Sequence, residues 1–324
     1  VRETRIVPLA FDCLRQLPDR ARSIALLILG FTLLRLLLAA FVPLLPQEAY
    51  YWTWSKESAL SFLDHPPMIA WFIRFGTAIF GDTNLGVRFA GIVAMLVTQL
   101  LLADIVRRVT HDARAVVIAV LMPEAALYYG LLMAKVAPDT AMIPFAVAML
   151  WALVRLHESD NPRWWLAAGL FAGLALLSKF TAVMLAPAVL AFAVVPDWRR
   201  RWLLGPWPWL AALIAVVVFL PVLIWNAQHG FVTAQHTASN AHFDATKLFN
   251  LDELFEFVFG QAGVVGPVIF VVLIWALWRA WRRSDGLSTE EKFLIAYIIP
   301  PFIIISAIAF ISRANANWAA VAYP

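Results

Sequence analysis

Long apolar blocks, interrupted by short polar stretches, extend along most of the chain. The blocks are about 16 to 24 residues long, and a helix needs about 20 residues to cross a hydrocarbon core of about 30 Å. At that depth every backbone N–H and C=O must be paired within the segment, so the blocks predict helices and not a barrel. The pattern predicts nine spans, over residues 23–45, 85–106, 115–133, 139–156, 164–178, 181–195, 204–226, 263–281 and 292–311.

Two loops between the predicted spans are too long to be simple connectors, and they cover residues 46–84 and 228–261. In the first, the segment PPMIAWFIRFGTAIFG places its apolar residues near one stripe, which favours an amphipathic helix lying in the membrane interface. The segment LDELFEFVFGQ near the end of the second loop favours another. Loops of more than about fifteen residues are usually functional or disordered, and the aromatic content of these two argues against disorder.

The composition excludes a water-soluble fold. Hydrophobic residues make up 62% of the 324 residues, charged residues make up 14%, and the mean hydropathy is +0.78. Soluble domains, in contrast, are about half apolar and about a quarter charged. We therefore expect an all-α polytopic integral membrane bundle, with residues 1–324 forming a single transmembrane domain. Another apolar segment begins between Trp318 and Tyr323, so the chain is expected to be C-terminally incomplete.

The distribution of basic residues predicts the orientation, because cytoplasmic loops collect lysine and arginine. An N-terminus in the cytoplasm places the basic clusters of alternate loops on the inner side: Arg107, Arg108, Arg114, Arg155, Arg163, Arg199, Arg200, Arg201, Arg279, Arg282 and Arg283. The net charge of +4 is then a topology signal and gives no support for a nucleic-acid partner. Both long loops are predicted to be periplasmic.

Three acidic residues on the outer side are candidate catalytic groups. Glu48 follows the first span and precedes a run of aromatic residues, although an acid in the first turn of a helix is also favoured by the helix dipole. Asp64 and His65 lie in an extended segment before Pro66, where their side chains can face a common site. Asp64 can equally cap the helix that follows. Asp139 comes after a proline at the outer end of a span and has the same two interpretations.

Polar groups at membrane depth are costly and are therefore candidates for function. Lys179 lies alone between the two apolar arms of a predicted hairpin, which favours contact with an anion such as a phosphate. The alternative is a lysine whose side chain extends to the membrane surface. Glu124, near the middle of a span, needs a partner such as Tyr128 or a cation, and this role can be purely structural.

Motifs of several other activities are missing from the sequence. It contains no Walker loop, no dinucleotide-binding G-x-G-x-x-G and no metalloprotease motif, so ATP-driven transport and dinucleotide chemistry have no support. The single cysteine, Cys13, excludes an intramolecular disulfide. The histidines of the second loop do not have the spacing of a zinc site: His229, His236 and His242.

Six strings, taken in order, resemble the GT-C superfamily of glycosyltransferases: PQEAYYWTWS, FLDHPPMIAWFIRFGTAIFGDTNLGVRFAG, APDTAMIPFAVAMLWAL, GLALLSKFTAVMLAP, PVLIWNAQHGF and ANANWAAVAYP. The branch that they resemble holds protein O-mannosyltransferases, lipid A aminoarabinose transferases and related bacterial galacturonic-acid-type transferases. The resemblance implies an inverting enzyme of the bacterial inner membrane that moves a sugar from a polyprenyl phosphate to lipid A, the lipopolysaccharide core or a protein. It implies no required cofactor, and a divalent metal has no support.

The resemblance also implies roles for individual residues. The acidic pair of the family's first outer loop falls on Gln47 and Glu48, so Glu48 is the leading base, with Asp139 and Asp64 as alternatives. Lys179 matches the hairpin cation that contacts the donor phosphate. The chemistry needs a base near the acceptor hydroxyl and fixed cations near the departing phosphate. Further expected phosphate contacts are His65, Arg88 and Arg313. Expected contacts with substrate or with lipid are Tyr50, Tyr51, Trp52 and Asn317.

Two other functions compete with this one. A transporter or flippase of a lipid-linked sugar would also place charges inside the membrane, and inverted halves with broken helices would favour it. The sequence shows no internal repeat, and most of its unusual polar residues lie on one side, which favours an enzyme. A non-catalytic scaffold would leave the acidic and cationic residues of the outer loops without an explanation.

Overall fold

The structure is a computed structural model that describes residues 19–126, 130, 135–194, 196–233, 235–236, 249–283 and 286–323. These residues form helices joined by turns, and no β-strand occurs among them. In chain order the helices are α1 (Asp19–Phe41), α2 (Pro46–Trp54), α3 (Met68–Phe80), α4 (Asn84–Thr110), α5 (Ala113–Ala125), α6 (Pro138–Ser159), α7 (Trp164–Leu176), α8 (Leu185–Leu190), α9 (Trp207–Gln228), α10 (Leu251–Val265), α11 (Pro267–Arg282) and α12 (Thr289–Ile311). Short helical turns cover Phe180–Met184, Ala191–Val194, Pro196–Trp198, Arg199–Leu203 and Ala316–Ala322.

Five of these helices, α1, α4, α6, α9 and α12, are long and apolar enough to cross a membrane. The bent pair α10 and α11 makes a sixth if it is counted as one span. The predicted all-α polytopic membrane bundle is therefore confirmed. The predicted number of nine spans is wrong for the described part of the chain, because its other apolar helices have fewer than 18 residues. Apolar content along the sequence does not show where a helix ends inside an apolar stretch.

The region predicted to contain the spans 164–178 and 181–195 forms two short arms. The first arm, α7, has 13 residues and ends at Leu176. The backbone then becomes extended at Lys179, with φ −156° and ψ 139°. The second arm begins as a tight helical turn before α8. At about 1.5 Å per residue, α7 is about 20 Å long, which is shorter than a hydrocarbon core.

Two other predicted spans also end early, for local reasons. In the predicted span 115–133, α5 has 13 residues and contains Pro123, which cannot donate to the helical hydrogen-bond ladder. Much of the remainder, including Tyr128, lies outside the described residues, as do Cys13 and His242. The predicted span 263–281 crosses Gly266, where φ is 90° and the axis bends by 114° between α10 and α11. Glycine tolerates this left-handed backbone, which ends one helix and starts the next.

Helix α3 holds the first long loop, residues 46–84, against the bundle. It buries Met68, Ile69 and Ile73 on one side, while large apolar residues such as Phe75 remain exposed on the other. A Cβ atom on Gly76 would lie 2.1 Å from the carbonyl oxygen of Gly86 in α4, so the two helices approach as closely as they do because both positions are glycine. The amphipathic helix predicted in this loop is present.

Helix α6 is the most buried of the five long helices, and it packs against both α4 and α7. Its first turn follows the extended residue Ala137, whose backbone N–H donates to Oγ1 of Thr140 at 3.1 Å. Proline at the first helical position favours this start, because its fixed φ suits the helix and its missing N–H is not needed there. As a result, Asp139 enters the interior of the bundle at one end of its central helix.

The predicted need of Glu124 for a partner is met by α1 and α4. Its Oε1 atom forms an ion pair with Arg35 and accepts a hydrogen bond from Nε2 of Gln99 at 2.8 Å. Nη1 of Arg35 also donates to Oε1 of Gln99, at 3.2 Å. The Arg35 side chain is only 4% exposed. Of the two predicted kinds of partner, a cation, Arg35, is the one found among the described residues, and the group ties three helices together.

We expect Glu124→Ala to lower the stability of the folded protein by about 3 kcal/mol or more, because it leaves the buried Arg35 guanidinium without its anion. Thermal unfolding of the detergent-solubilised protein measures this as a lower Tm. The apolar double variant Arg35→Met with Glu124→Leu should recover most of the loss. Asp82→Ala, which removes the exposed ion pair with Lys56, is the control and should change Tm little. Equal Tm values for Glu124→Ala and Asp82→Ala would contradict the structural role of Glu124.

Candidate active site

Glu48 is fixed by four hydrogen bonds in the first turn of α2. Nε and Nη2 of Arg88 donate to its two oxygens at 2.8 and 2.5 Å. The backbone N–H groups of Leu45 and Val136 each donate at 2.9 Å. The side chain is fully buried. Burial alone would raise the pKa of Glu48, but the hydrogen bonds from Arg88 and the two backbone groups outweigh it, and the pKa lies below its usual value.

Arg88, the partner of this carboxylate, also donates hydrogen bonds to other groups. In addition to Glu48 it donates to the carbonyl oxygens of Val42 and Pro43, at 2.7 and 2.9 Å. A carboxylate offers about four acceptor sites, and the contacts of Glu48 account for all of them. The roles of Glu48 as base and of Arg88 as a phosphate contact stay predictions. In this conformation the pair joins α2, the end of α1 and α4.

A second buried ion pair joins Asp139 of α6 to Lys179 in the turn after α7. Nζ of Lys179 lies 2.8 Å from both carboxylate oxygens of Asp139. The side chains are 5% and 7% exposed for Asp139 and Lys179 respectively. The snorkelling alternative for Lys179 does not describe this arrangement, because the amine points to a buried carboxylate and not to the surface.

The segment that carries Asp64 and His65 lies against the same turn. The backbone N–H of Met68 donates to the carbonyl oxygen of Leu177 at 3.1 Å, which fixes the start of α3 beside the end of α7. The imidazole of His65 lies among the rings of Tyr51 and Trp54, with centroids 6.1 and 6.5 Å away. Two predicted site residues, His65 and Lys179, are thereby brought into one region.

The environment of His65 favours its neutral form. Burial and, after it, the positive charge of Lys179 lower its pKa to about 4 from 6.5, although the nearby Asp139 and Asp64 act in the opposite direction. Its Nδ1 atom is buried without a hydrogen-bond partner among the described residues. An imidazole with a low pKa and a buried, unsatisfied nitrogen is ready to accept or donate a hydrogen bond to a ligand.

His65 should make stability depend on pH. Because the pKa of His65 in the folded protein, about 4, lies below its ordinary value of 6.5, the unfolded chain binds more protons between these values, and stability falls as pH is lowered through this window. Across the whole window, the free energy of unfolding changes by about 3 kcal/mol. We expect His65→Asn to flatten the dependence of Tm on pH between about 4 and 6.5. His229→Asn, at an exposed position on the second loop, is the control and should leave the slope unchanged. An unchanged slope in His65→Asn would contradict the assignment.

Asp64 joins the two long loops. Its Oδ2 atom accepts a hydrogen bond from the Tyr50 hydroxyl at 2.8 Å, and its Oδ1 atom lies 3.0 Å from Nε2 of His236. The Asp64 side chain is 30% exposed, unlike those of Glu48 and Asp139. The spacing of the second-loop histidines relative to one another does not indicate this contact of His236 with Asp64. No local signal relates His236 to a residue so distant in the sequence.

The other predicted contact residues are distributed around this region. Tyr51 accepts a hydrogen bond from Nε2 of Gln47 at 3.1 Å. Burial first, and then the negative charges of Asp64 and Asp139, raise its pKa to about 12, although the Gln47 hydrogen bond acts against them. The hydroxyl therefore stays protonated. Trp52 donates through Nε1 to Asp82 at 2.9 Å and is partly buried against the cluster that contains Tyr51.

Arg313 and Asn317 belong to the end of the chain beyond α12. Nε of Arg313 lies 4.0 Å from Oε2 of Glu253 in α10, and its side chain is 50% exposed. Asn317 lies in the short helical turn Ala316–Ala322. Their roles stay predictions. No group of three or more potential metal ligands occurs within the described ranges.

The chain matches one protein family and is similar to several known proteins. Residues 64–225, half of the chain, match the family profile described as dolichyl-phosphate-mannose-protein mannosyltransferase. This match includes Asp64, His65, Asp139 and Lys179. The lipid A galacturonosyltransferase RgtD of Rhizobium johnstonii is 32% identical over 312 residues, which are 93% of this chain and 63% of that protein.

A second relative and a solved structure are also similar to this chain. The undecaprenyl phosphate-alpha-4-amino-4-deoxy-L-arabinose arabinosyl transferase 2 of Pseudomonas fluorescens is 28% identical over 308 residues, which are 83% of this chain and 53% of that protein. The crystal structure of ArnT from Cupriavidus metallidurans bound to undecaprenyl phosphate superposes with a TM-score of 0.71 at 16% identity, covering 92% of this chain and 57% of that one. The predicted GT-C type of the bundle is thereby confirmed. The chain spans less than two thirds of the length of these proteins.

Proposed function

We propose, since the chain belongs to the dolichyl-phosphate-mannose-protein mannosyltransferase family, that it is a membrane glycosyltransferase with a polyprenyl-phosphate-linked sugar as its donor. The acceptor that we propose is lipid A or a related glycolipid, because lipid A is the acceptor named for the relative RgtD. The site lies on the periplasmic side of the bacterial inner membrane. The N-terminus is cytoplasmic, residues 1–324 belong to one transmembrane domain, and the loops 46–84 and 228–261 are periplasmic.

The buried pair of Asp139 and Lys179 is the observation that carries this proposal. An ammonium group has three N–H donors, and the two contacts with Asp139 leave a third for a phosphate oxygen. A cation held in place in a region of low dielectric stabilises a departing phosphate strongly, because it needs no reorganisation as charge develops. Asp139 positions the amine, and the neutral imidazole of His65 can add a hydrogen bond.

We assign the role of base to Asp64. Glu48 has its oxygens occupied by four donors, and both oxygens of Asp139 contact Lys179. Asp64 is the most exposed of the three predicted carboxylates, and the Tyr50 hydroxyl and His236 orient it. The acceptor hydroxyl oxygen bonds to the anomeric carbon of the sugar as the bond from that carbon to the phosphate breaks. The hydroxyl proton passes to Asp64, and the electron pair leaves with the phosphate beside Lys179.

A transfer assay tests the proposal. The full-length protein in detergent is mixed with a panel of radiolabelled polyprenyl-phosphate sugars and with lipid A, and the label in the glycolipid is counted. Transfer of label with release of polyprenyl phosphate supports the enzyme. If a donor binds in a manner that depends on Lys179, crosses proteoliposome membranes and is not consumed, the protein is a transporter of lipid-linked sugars and the proposal is wrong.

A further inference from the structure

An apolar cavity of about 520 Å³ lies between α6, α7, α8 and α9, outside the cluster of acids and histidines. Its walls are almost wholly aliphatic and aromatic. It reaches the surface of the bundle, because large apolar residues at its edge are exposed: Leu190 by 65%, Leu204 by 71% and Trp209 by 74%. In a membrane protein such an opening faces the hydrocarbon of the bilayer, so a lipid chain can enter it.

The cavity has a charged end. Arg199, in the helical turn Arg199–Leu203, is the one charged residue of the described part of the chain that lines it. The neighbouring Arg201 forms an ion pair with Asp160, which comes just before α7. Arg199 is therefore held at the end of the cavity where α7 begins, and no ion pair of its guanidinium occurs among the described residues.

The charged end lies opposite the proposed reaction site. Along α7 the cavity extends from Trp165 to Leu176, a separation of about 16 Å at 1.5 Å per residue. Leu176 lies near Lys179 in sequence, whereas Trp165 lies near the Arg199 end. A polyprenyl donor whose phosphate meets Lys179 has its charge at the wrong end to pair with Arg199. An amphiphile that pairs with Arg199 has its headgroup in the other leaflet.

We propose that this cavity binds a phospholipid with an anionic headgroup from the inner leaflet. An acyl chain enters between α7, α8 and α9, and the phosphate contacts Arg199, which suits phosphate because guanidinium donates two parallel hydrogen bonds. The predicted cytoplasmic position of the basic loops places this end in the leaflet where juxtamembrane cations attract anionic lipids. The site needs no sugar donor and no transfer step, and its occupancy can be measured separately from activity.

Native mass spectrometry of the full chain in detergent tests the proposal, with phosphatidylglycerol and phosphatidylcholine of the same acyl composition as probes. We expect the wild-type protein to retain phosphatidylglycerol preferentially. Arg199→Gln should reduce this preference about fivefold, the effect of one cation near an anionic lipid. Arg200→Gln removes the adjacent exposed charge, which does not line the cavity, and should leave the preference intact.

A second variant tests the cavity itself. Ala172→Phe places a ring inside it and should reduce retention of both lipids, at unchanged Tm. If this variant does not fold, the comparison of Arg199→Gln with Arg200→Gln still tests whether Arg199 causes the preference for phosphatidylglycerol. Equal effects of these two arginine variants would overturn the proposal, because the preference would then come from the general charge of the inner face. Displacement of phosphatidylglycerol by added polyprenyl phosphate would also overturn it and assign the cavity to the donor.

Discussion

Asp64→Asn is expected to lower the rate of sugar transfer by about 100-fold to 10,000-fold, the usual contribution of a general base. The amide keeps the shape of the side chain and can still bond to Tyr50 and His236, but it cannot accept the proton of the acceptor hydroxyl. Tm should change little, because the side chain is partly exposed. The measurement is transfer of labelled sugar to lipid A under saturating donor.

The matched control for Asp64→Asn is Asp82→Asn, in the same long loop but bonded to Lys56 and Trp52. It should keep nearly full activity. Glu48→Gln gives a further comparison. Because Glu48 holds Arg88 inside the bundle, this variant should lower Tm together with activity. If Glu48→Gln abolishes transfer at unchanged Tm while Asp64→Asn retains it, Glu48 is the base and our assignment of Asp64 is wrong.

Lys179→Ala should reduce transfer by about 100-fold to 1,000-fold, because it removes a fixed cation from the departing phosphate. The substitution also leaves Asp139 buried without its partner, which destabilises the fold. The double variant Lys179→Met with Asp139→Asn separates the two effects. It has no uncompensated buried charge, so Tm should recover while transfer stays low.

Lys179→Arg keeps the charge and is expected to retain part of the activity. Lys56→Ala, which removes an exposed lysine of the first long loop, serves as the control and should leave transfer unchanged. Wild-type turnover by the folded double variant Lys179→Met with Asp139→Asn would exclude Lys179 as the phosphate contact. Donor affinity and turnover measured together would show whether the lost interaction acts on binding or on the transition state.

Several features of this protein follow from the sequence alone. The apolar blocks are long enough to require a membrane, and backbone pairing in hydrocarbon requires helices. Strings such as FLDHPP and LLSKFT resemble a known superfamily, and the family match over residues 64–225 agrees with that resemblance. The sequence also singles out Asp64, His65, Asp139 and Lys179 as unusual, because charged and polar groups near the membrane are costly.

The tertiary structure alone decided how these residues pair. Asp139 and Lys179 are 40 positions apart, and Glu48 and Arg88 are also 40 apart, yet one pair lies beside His65 and the other fixes α2. His236 reaches Asp64 from the second loop. The physical reason is that local propensity and hydropathy depend only on residues that are close in the sequence. The partner of a buried charge depends instead on how the helices pack, because packing brings the ends of distant helices together.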